Sequence, residues 1–262
     1  MMQLVLDVGN TDTVIGVIDA DHVLRAHWRR STGEPRSSAE YADVLGGLLD
    51  EEGITRSDLT RVVIGSVVPS ATETLRPAIA QLGLGPTHSI GSDSPLPITL
   101  AVEEPGAVGI DRIVNTLAAV SRYRRDTLVV DLGTATTFDV VTVDAVFQGG
   151  VIAPGVSMGL EWLAKRTAKL PAVVLAPPEQ VIGRRTEECI RSGIFYSAVD
   201  AVEGIVRRIL EEWGRPDAYV VATGGFAPIV APRCGSIHTV EPFLTLYGLA
   251  LAGDHVGAAQ DS

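Results

Sequence analysis

Two stretches of this chain decide its fold. The first reads Leu4-Val5-Leu6-Asp7-Val8-Gly9-Asn10-Thr11-Asp12-Thr13-Val14-Ile15-Gly16-Val17-Ile18. The second reads Leu128-Val129-Val130-Asp131-Leu132-Gly133-Thr134-Ala135-Thr136-Thr137-Phe138-Asp139-Val140-Val141-Thr142. Each is an apolar, β-branched run, then Asp-x-Gly, then a small polar turn, then a second β-branched run. The pattern predicts two β-hairpins with Asp at the end of the first strand and Gly at the turn. Further along, Val62-Val63-Ile64-Gly65-Ser66 reads as a buried strand opening into a helix from about Ser70, and Val220-Val221-Ala222-Thr223-Gly224-Gly225 repeats that pattern in the later half. The same order twice predicts two similar α/β lobes. Their boundary is expected near the helix Arg112 to Tyr123, which gives lobes of residues 1–118 and 119–262.

Composition excludes several classes of function. The 262 residues are 46% hydrophobic and 20% charged, enough for one large domain or two smaller ones. The net charge is −11 and the 21 basic residues form no run longer than a pair, so nucleic acid is not an expected partner. Cys189 and Cys234 form no C-x-x-C and suggest neither a disulfide framework nor a zinc site. The apolar start before Asp7 is too short for a signal peptide. The uncharged stretch from Ala145 to Leu160 holds four glycines and a proline, and is too short and broken to span a bilayer. The expectation is a cytoplasmic protein that does not engage a membrane. The only lysines are Lys165 and Lys169, and neither lies in G-x-x-x-x-G-K-[ST], so a P-loop is excluded.

The hairpin turns nonetheless suit a phosphate chain. Glycine lets backbone approach a ligand closely, and successive N–H groups in a tight turn form an anion-binding concavity. Thr11, Thr13, Thr134, Thr136 and Thr137 offer further donors, and an Asp at each strand end offers a carboxylate to a hydrated cation. An ordinary turn is the better account of either hairpin alone; with two in tandem a nucleotide site becomes an equal alternative. Gly149-Gly150-Val151-Ile152-Ala153-Pro154-Gly155 is expected to be a strand-to-helix turn. Thr223-Gly224-Gly225 ends a strand where a nucleoside can lie against bare backbone, or is a plain turn. In Gly109-Ile110-Asp111-Arg112, Asp111 is either the N-cap of the helix that follows or a general base, with Arg112 either a surface residue or an anion-binding group.

Taken together, these residues resemble the type III pantothenate kinase family. The matching motifs are Asp7-Val8-Gly9-Asn10-Thr11, Val108-Gly109-Ile110-Asp111-Arg112-Ile113-Val114-Asn115 and Asp131-Leu132-Gly133-Thr134-Ala135-Thr136-Thr137. They continue through Gly149-Gly150-x-Ile152-x-Pro154-Gly155, Thr167-Ala168-Lys169-Leu170-Pro171, Gly183 through Thr186 to Gly193, and Thr223-Gly224-Gly225, in the family's order and over nearly the whole chain. The resemblance implies an actin-like fold of two ribonuclease H-like lobes flanking a nucleotide cleft, and phosphorylation of pantothenate by ATP in a homodimer. It implies that Asp7, Val8, Gly9, Asn10, Thr11, Asp12, Thr13 and Val14 form a phosphate-binding hairpin, with Thr134 also contacting ATP. It implies that Asp111 accepts the proton, that Gly109, Ile110, Arg112 and Thr186 line the pantothenate site, and that Asp131 helps bind a monovalent cation, K⁺ or NH₄⁺, beside the Mg²⁺ of ATP. A helix cap is the alternative for Thr186, and a scaffold role for Asp131. The chain departs from the family pattern at Ile110, at Asp12 and at Val102. The rival reading is a nucleotide-binding regulator of the same fold without kinase activity; a sugar or acyl kinase and a dinucleotide oxidoreductase rank behind it.

Overall fold

The computed structural model describes residues 2–32, 37–167 and 169–260. Strands β1 (Met2–Val8) and β2 (Asp12–Asp19) form the first expected hairpin, and β3 (Leu24–Ser31) extends it. After α1 (Ser38–Glu51), strand β4 (Leu59–Ser66) pairs parallel with β1. After α2 (Pro69–Leu82), strand β5 (Thr87–Ile90) pairs parallel with β4. The strand order is β3-β2-β1-β4-β5. A short strand β6 (Thr99–Leu100) and helix α3 (Ile110–Tyr123) follow.

The second half repeats this plan. Strands β7 (Thr127–Leu132), β8 (Ala135–Val141) and β9 (Val146–Pro154) form an antiparallel meander. Helices α4 (Val156–Arg166) and α5 (Thr186–Trp213) come next. Strand β10 (Tyr219–Thr223), the short helix α6 (Ala227–Val230), strand β11 (Thr239–Val240) and helix α7 (Leu244–Gln260) complete the chain. Strand β10 is parallel to β7, and β11 to β10, so these strands run β11-β10-β7-β8-β9. In each half the hairpin's first strand is central, with its antiparallel partner on one side and a parallel strand on the other.

That position explains the sequence. A strand covered on both faces reads as a continuous apolar run rather than an alternation. Leu4, Val5 and Leu6 are fully buried in β1, as are Leu128, Val129 and Val130 in β7. In both strands the late break in burial is the aspartate, Asp7 or Asp131.

Two compact units result, one of residues up to Ala118 together with Leu244 onward, the other from Ala119 to Phe243. The expected second lobe of 119–262 is therefore corrected at its C-terminal end. Helix α7 packs on β1, β4, β5 and β2 of the first unit. There Asp254 accepts from Gln3 Nε2 at 2.7 Å and pairs with His22 Nε2 at 2.9 Å, while Arg61 Nη1 donates to the Gly253 carbonyl at 2.6 Å. The glycine-rich run after β8 is also corrected. Residues Gly149 to Pro154 belong to β9, and only Gly155 makes the turn into α4. Gly149 takes φ of 99° near the point where the β8–β9 register shifts, the backbone state a bulge needs and glycine supplies. Among the described residues no helix is long and apolar enough to cross a membrane.

Candidate active site

In the first unit, the β1–β2 turn is closed by Gly9 N donating to Asp12 O at 3.0 Å. The register pairs Val8 with Thr13 and Asp7 with Val14, and leaves Asn10 and Thr11 exposed at the tip. On the parallel side Asp7 stands beside Gly65 of β4. Two of the expected donors and contacts turn inward: Val8 is fully buried, and Thr13, 3% exposed, shares a 2.7 Å hydrogen bond with the Thr32 hydroxyl. Thr32 N also donates to Thr11 O at 2.9 Å, so the end of β3 braces the turn. The Asp12 carboxylate meets Arg29 of β3 at 2.9 Å.

At the start of α3, the Gly109 carbonyl accepts from Arg112 N at 3.1 Å and from Ile113 N at 3.3 Å. The backbone of Gly109 thus begins the helix and Asp111 lies inside its first turn, which sets aside the N-cap reading. Asp111 Oδ1 accepts from Arg112 N at 2.9 Å, a bond Asn could also make. The first turn of a helix is also where the macrodipole favours a carboxylate. Ile110 is buried and anchors the segment, while Gly109, Asp111 and Arg112 remain half-buried. Behind them Asn115, only 1% exposed, accepts from Thr245 Oγ1 of α7 at 2.8 Å.

In the second unit the corresponding turn is tighter: Gly133 N donates to Ala135 O at 3.1 Å, with Thr134 exposed at the tip. Bare backbone converges on it. A Cβ on Gly155 would collide with the Thr134 carbonyl, and a Cβ on Gly224, where φ is 89°, would collide with Asp131 Oδ1 and the Leu132 backbone. Phe226 N donates to Leu132 O at 3.0 Å and ties this second loop down. Asp131, Gly133, Thr134, Gly155 and Gly224, scattered in the chain, are thus brought together within one unit.

Thr186 is the first residue of α5 and is exposed. The helix end is satisfied instead by Glu188, whose Oε2 accepts from Arg184 N at 2.9 Å and Arg185 N at 3.2 Å. The Arg184 amide, then the Arg185 amide and guanidinium, hold the Glu188 carboxyl below the usual carboxylate range. Thr186 is thus not needed as the cap.

Sequence reasoning assigned no role to two residues here. Asp139 is fully buried on β8 and accepts from Thr137 Oγ1 at 2.9 Å, and Thr137 lies opposite Asp131 in the β7–β8 register. A carboxylate inside a β-branched run was the available signal. Arg29, the partner of Asp12, gave only a basic pair in an exposed strand.

Comparison with known proteins addresses the family and the fold. Residues 3–208 match the family model of type III pantothenate kinase. A type III pantothenate kinase of Rhodospirillum rubrum is 41% identical over 95% of this chain and 97% of its own length. That of Thermomicrobium roseum is 40% identical over 96% of each chain. Among solved structures, the ADPNP-bound activator of 2-hydroxyisocaproyl-CoA dehydratase from Clostridium difficile aligns over 100% of this chain and 97% of its own, with a TM-score of 0.51 at 13% identity. An archaeal actin homologue aligns over 100% of both chains with a TM-score of 0.50 at 14% identity. At such identities the structures speak to fold alone, and they make it the two-lobed actin-like fold; with some two-fifths of its residues shared with these relatives over nearly its full length, the chain belongs to the type III pantothenate kinase family.

Proposed function

We infer that this protein transfers the γ-phosphoryl group of ATP to the primary hydroxyl of pantothenate, giving 4′-phosphopantothenate, the first step of coenzyme A biosynthesis. The observation that carries the reading is Asp111 in the first turn of α3, behind a helix start made by the Gly109 backbone. A regulator that only binds nucleotide has no use for a carboxylate there, which ranks that alternative second.

Phosphoryl transfer asks mainly for in-line positioning and for neutralisation of charge on the transferred group. The turn from Asp7 to Val14 and the tip at Thr134 present backbone N–H groups and hydroxyls to the triphosphate. Gly109 and Arg112 position pantothenate, with Thr186 a further contact; Ile110 acts by holding that segment in the core. Asp111 orients the hydroxyl and accepts its proton as the oxygen bonds to the γ-phosphorus. The bond from that phosphorus to the β–γ bridging oxygen breaks, and ADP leaves with the electron pair. A positioned base contributes roughly 10²–10⁴ in rate.

Among the described residues no group of three or more His, Cys, Asp and Glu is assembled to hold a metal. Mg²⁺ is commonly held by one or two carboxylates, waters and substrate phosphates; Asp7 would supply the carboxylate. The missing Cβ at Gly224 lets bare backbone approach Asp131 Oδ1, and Asp131 would supply a carboxylate oxygen to K⁺ or NH₄⁺. Bound cations would supply positive charge to the phosphates, and neither of the two lysines lies in a phosphate-binding loop motif. The protein acts in the cytoplasm as a homodimer.

The test is incubation of the pure protein with ATP, Mg²⁺ and K⁺ against pantothenate, sugars and acetate, following ADP release. Turnover is expected with pantothenate only. Robust turnover of a sugar and none of pantothenate would overturn the reading.

A further inference from the structure

Asp12 places a carboxylate in the same turn that the proposed function gives to a polyanion. Its Oδ2 lies 2.9 Å from Arg29 Nη1. In the β2–β3 register Arg29 faces Val14, and strand alternation puts Asp12, Val14 and Arg29 on one face. Thr32, just past the end of the strand that carries Arg29, also holds the turn through the Thr32–Thr11 and Thr32–Thr13 bonds. The pair's side chains are 53% and 35% exposed. An ion pair in such a setting contributes little to folding, and the brace is already made by uncharged groups. What the pair changes is the charge of the turn.

We propose that Arg29 is a positioning residue for ATP: it neutralises Asp12, so that the turn accepts a triphosphate, and does not itself touch the nucleotide. The inference rests on the assignment of residues 7–14 to the phosphates. An unpaired carboxylate beside several phosphate charges repels them in proportion to their number, and even at high dielectric the sum reaches about tenfold in affinity. The effect should therefore be largest for ATP, smaller for ADP and smallest for AMP.

Calorimetric titration of the full chain with ATP, ADP and AMP tests this on Arg29→Gln, Arg29→Lys, Asp12→Asn and the double variant Asp12→Asn/Arg29→Gln. Arg29→Gln is expected to weaken ATP about tenfold, ADP less and AMP hardly at all, with its melting temperature and its KM for pantothenate at the wild-type values. The double variant should recover ATP affinity to within about twofold of wild type, and Arg29→Lys should retain it. The recovery is the decisive readout, because a merely structural role for Arg29 is not cured by removing the charge of Asp12. Undiminished ATP binding by Arg29→Gln overturns the proposal, and so does a double variant as weak as the single, which would make Arg29 a direct ligand or a structural residue. Gly9→Val, whose Cβ would stand 3.0 Å from Asp12 O, serves as the control on the turn itself. If it loses ATP while Arg29→Gln does not, only the neutralising role fails. If both bind ATP normally, the assignment of the turn to phosphates fails with it.

Discussion

Asp111 and Asp131 occupy comparable places in the sequence, each beside a glycine at the edge of an element, yet their surroundings give them different work. Asp111 sits inside the first turn of α3 and makes one bond to its own helix, through Oδ1 to Arg112 N. Asp111→Asn retains that bond, so the fold should persist, while kcat falls by roughly 10²–10⁴ with ATP affinity little changed. Steady-state kinetics beside a thermal melt checks both halves; near-normal kcat would return Asp111 to a structural role. Asp131 is packed against the bare backbone of Gly224 and faces Thr137 across the hairpin. If it holds a monovalent cation, the enzyme should be nearly inactive in Na⁺ or Tris buffer and recover with K⁺ or NH₄⁺, and Asp131→Asn should fold, lose most activity and respond weakly to K⁺. Equal wild-type turnover without K⁺ would leave Asp131 a scaffold residue. Both aspartates were legible because each interrupts a simple pattern. The pairing of Asp12 was not, since Arg29 lies 17 residues away and reaches it only once β2 and β3 are in register.

The hairpins and their parallel neighbours were readable as elements for a physical reason. Strands buried on both faces must be apolar throughout, and the turn chemistry after them is unmistakable. Strand β9 was hidden because its glycines at 149 and 150 signal a break, whereas here they serve a bulge within a strand. Helix α7 received no reading from the sequence, and its place in the first unit was not legible there. Leu244, Leu246, Leu249, Ala250 and Ala252 are all buried, so no polar face says which sheet it covers. Its seat is set by small residues: a Cβ on Gly248 would collide with the Val114 carbonyl of α3. Gly248→Ala should therefore destabilise the protein by about 1–3 kcal/mol, the usual cost of overpacking. Gly47 supplies the contrast. It lies exposed within α1, and a Cβ there meets nothing within 4 Å. Gly47→Ala should stabilise by about 0.5–1 kcal/mol, because alanine loses less backbone entropy in a helix. Urea unfolding of the two variants should show shifts of opposite sign. Equal shifts would mean that close approach does not set the seat of α7.

At the scale of the molecule, the second unit keeps large apolar side chains in water. Trp162 is 61% exposed and Met158 53% on α4, Ile152 is 63% exposed on β9, and Val181 and Ile182 precede α5 at 64% and 82%. Scattered exposed apolar residues are ordinary. Here, however, aromatic residues make up only 5% of the chain, and a tryptophan left largely in water is an expensive use of one. Mean hydropathy of +0.25 points the same way. The expected cover is a second copy of the chain, since symmetric dimers are the commonest oligomers and use one surface twice. In such an interface a single substitution is felt in both protomers. Burying a large apolar side chain is worth about 1.5–3 kcal/mol, so Trp162→Glu should raise the dimer dissociation constant by on the order of 10²–10⁴. Sedimentation velocity at micromolar concentration should find wild type as dimer and Trp162→Glu as monomer. Val23→Glu adds the same charge at a 45% exposed site in the first unit and should remain dimeric. If pantothenate binds near the subunit contact, the monomeric variant should also show a raised KM for pantothenate, with ATP binding retained by the hairpin of each chain. A wild-type protein that sediments as monomer with full activity would remove both the dimer and any contribution of a partner subunit to the site.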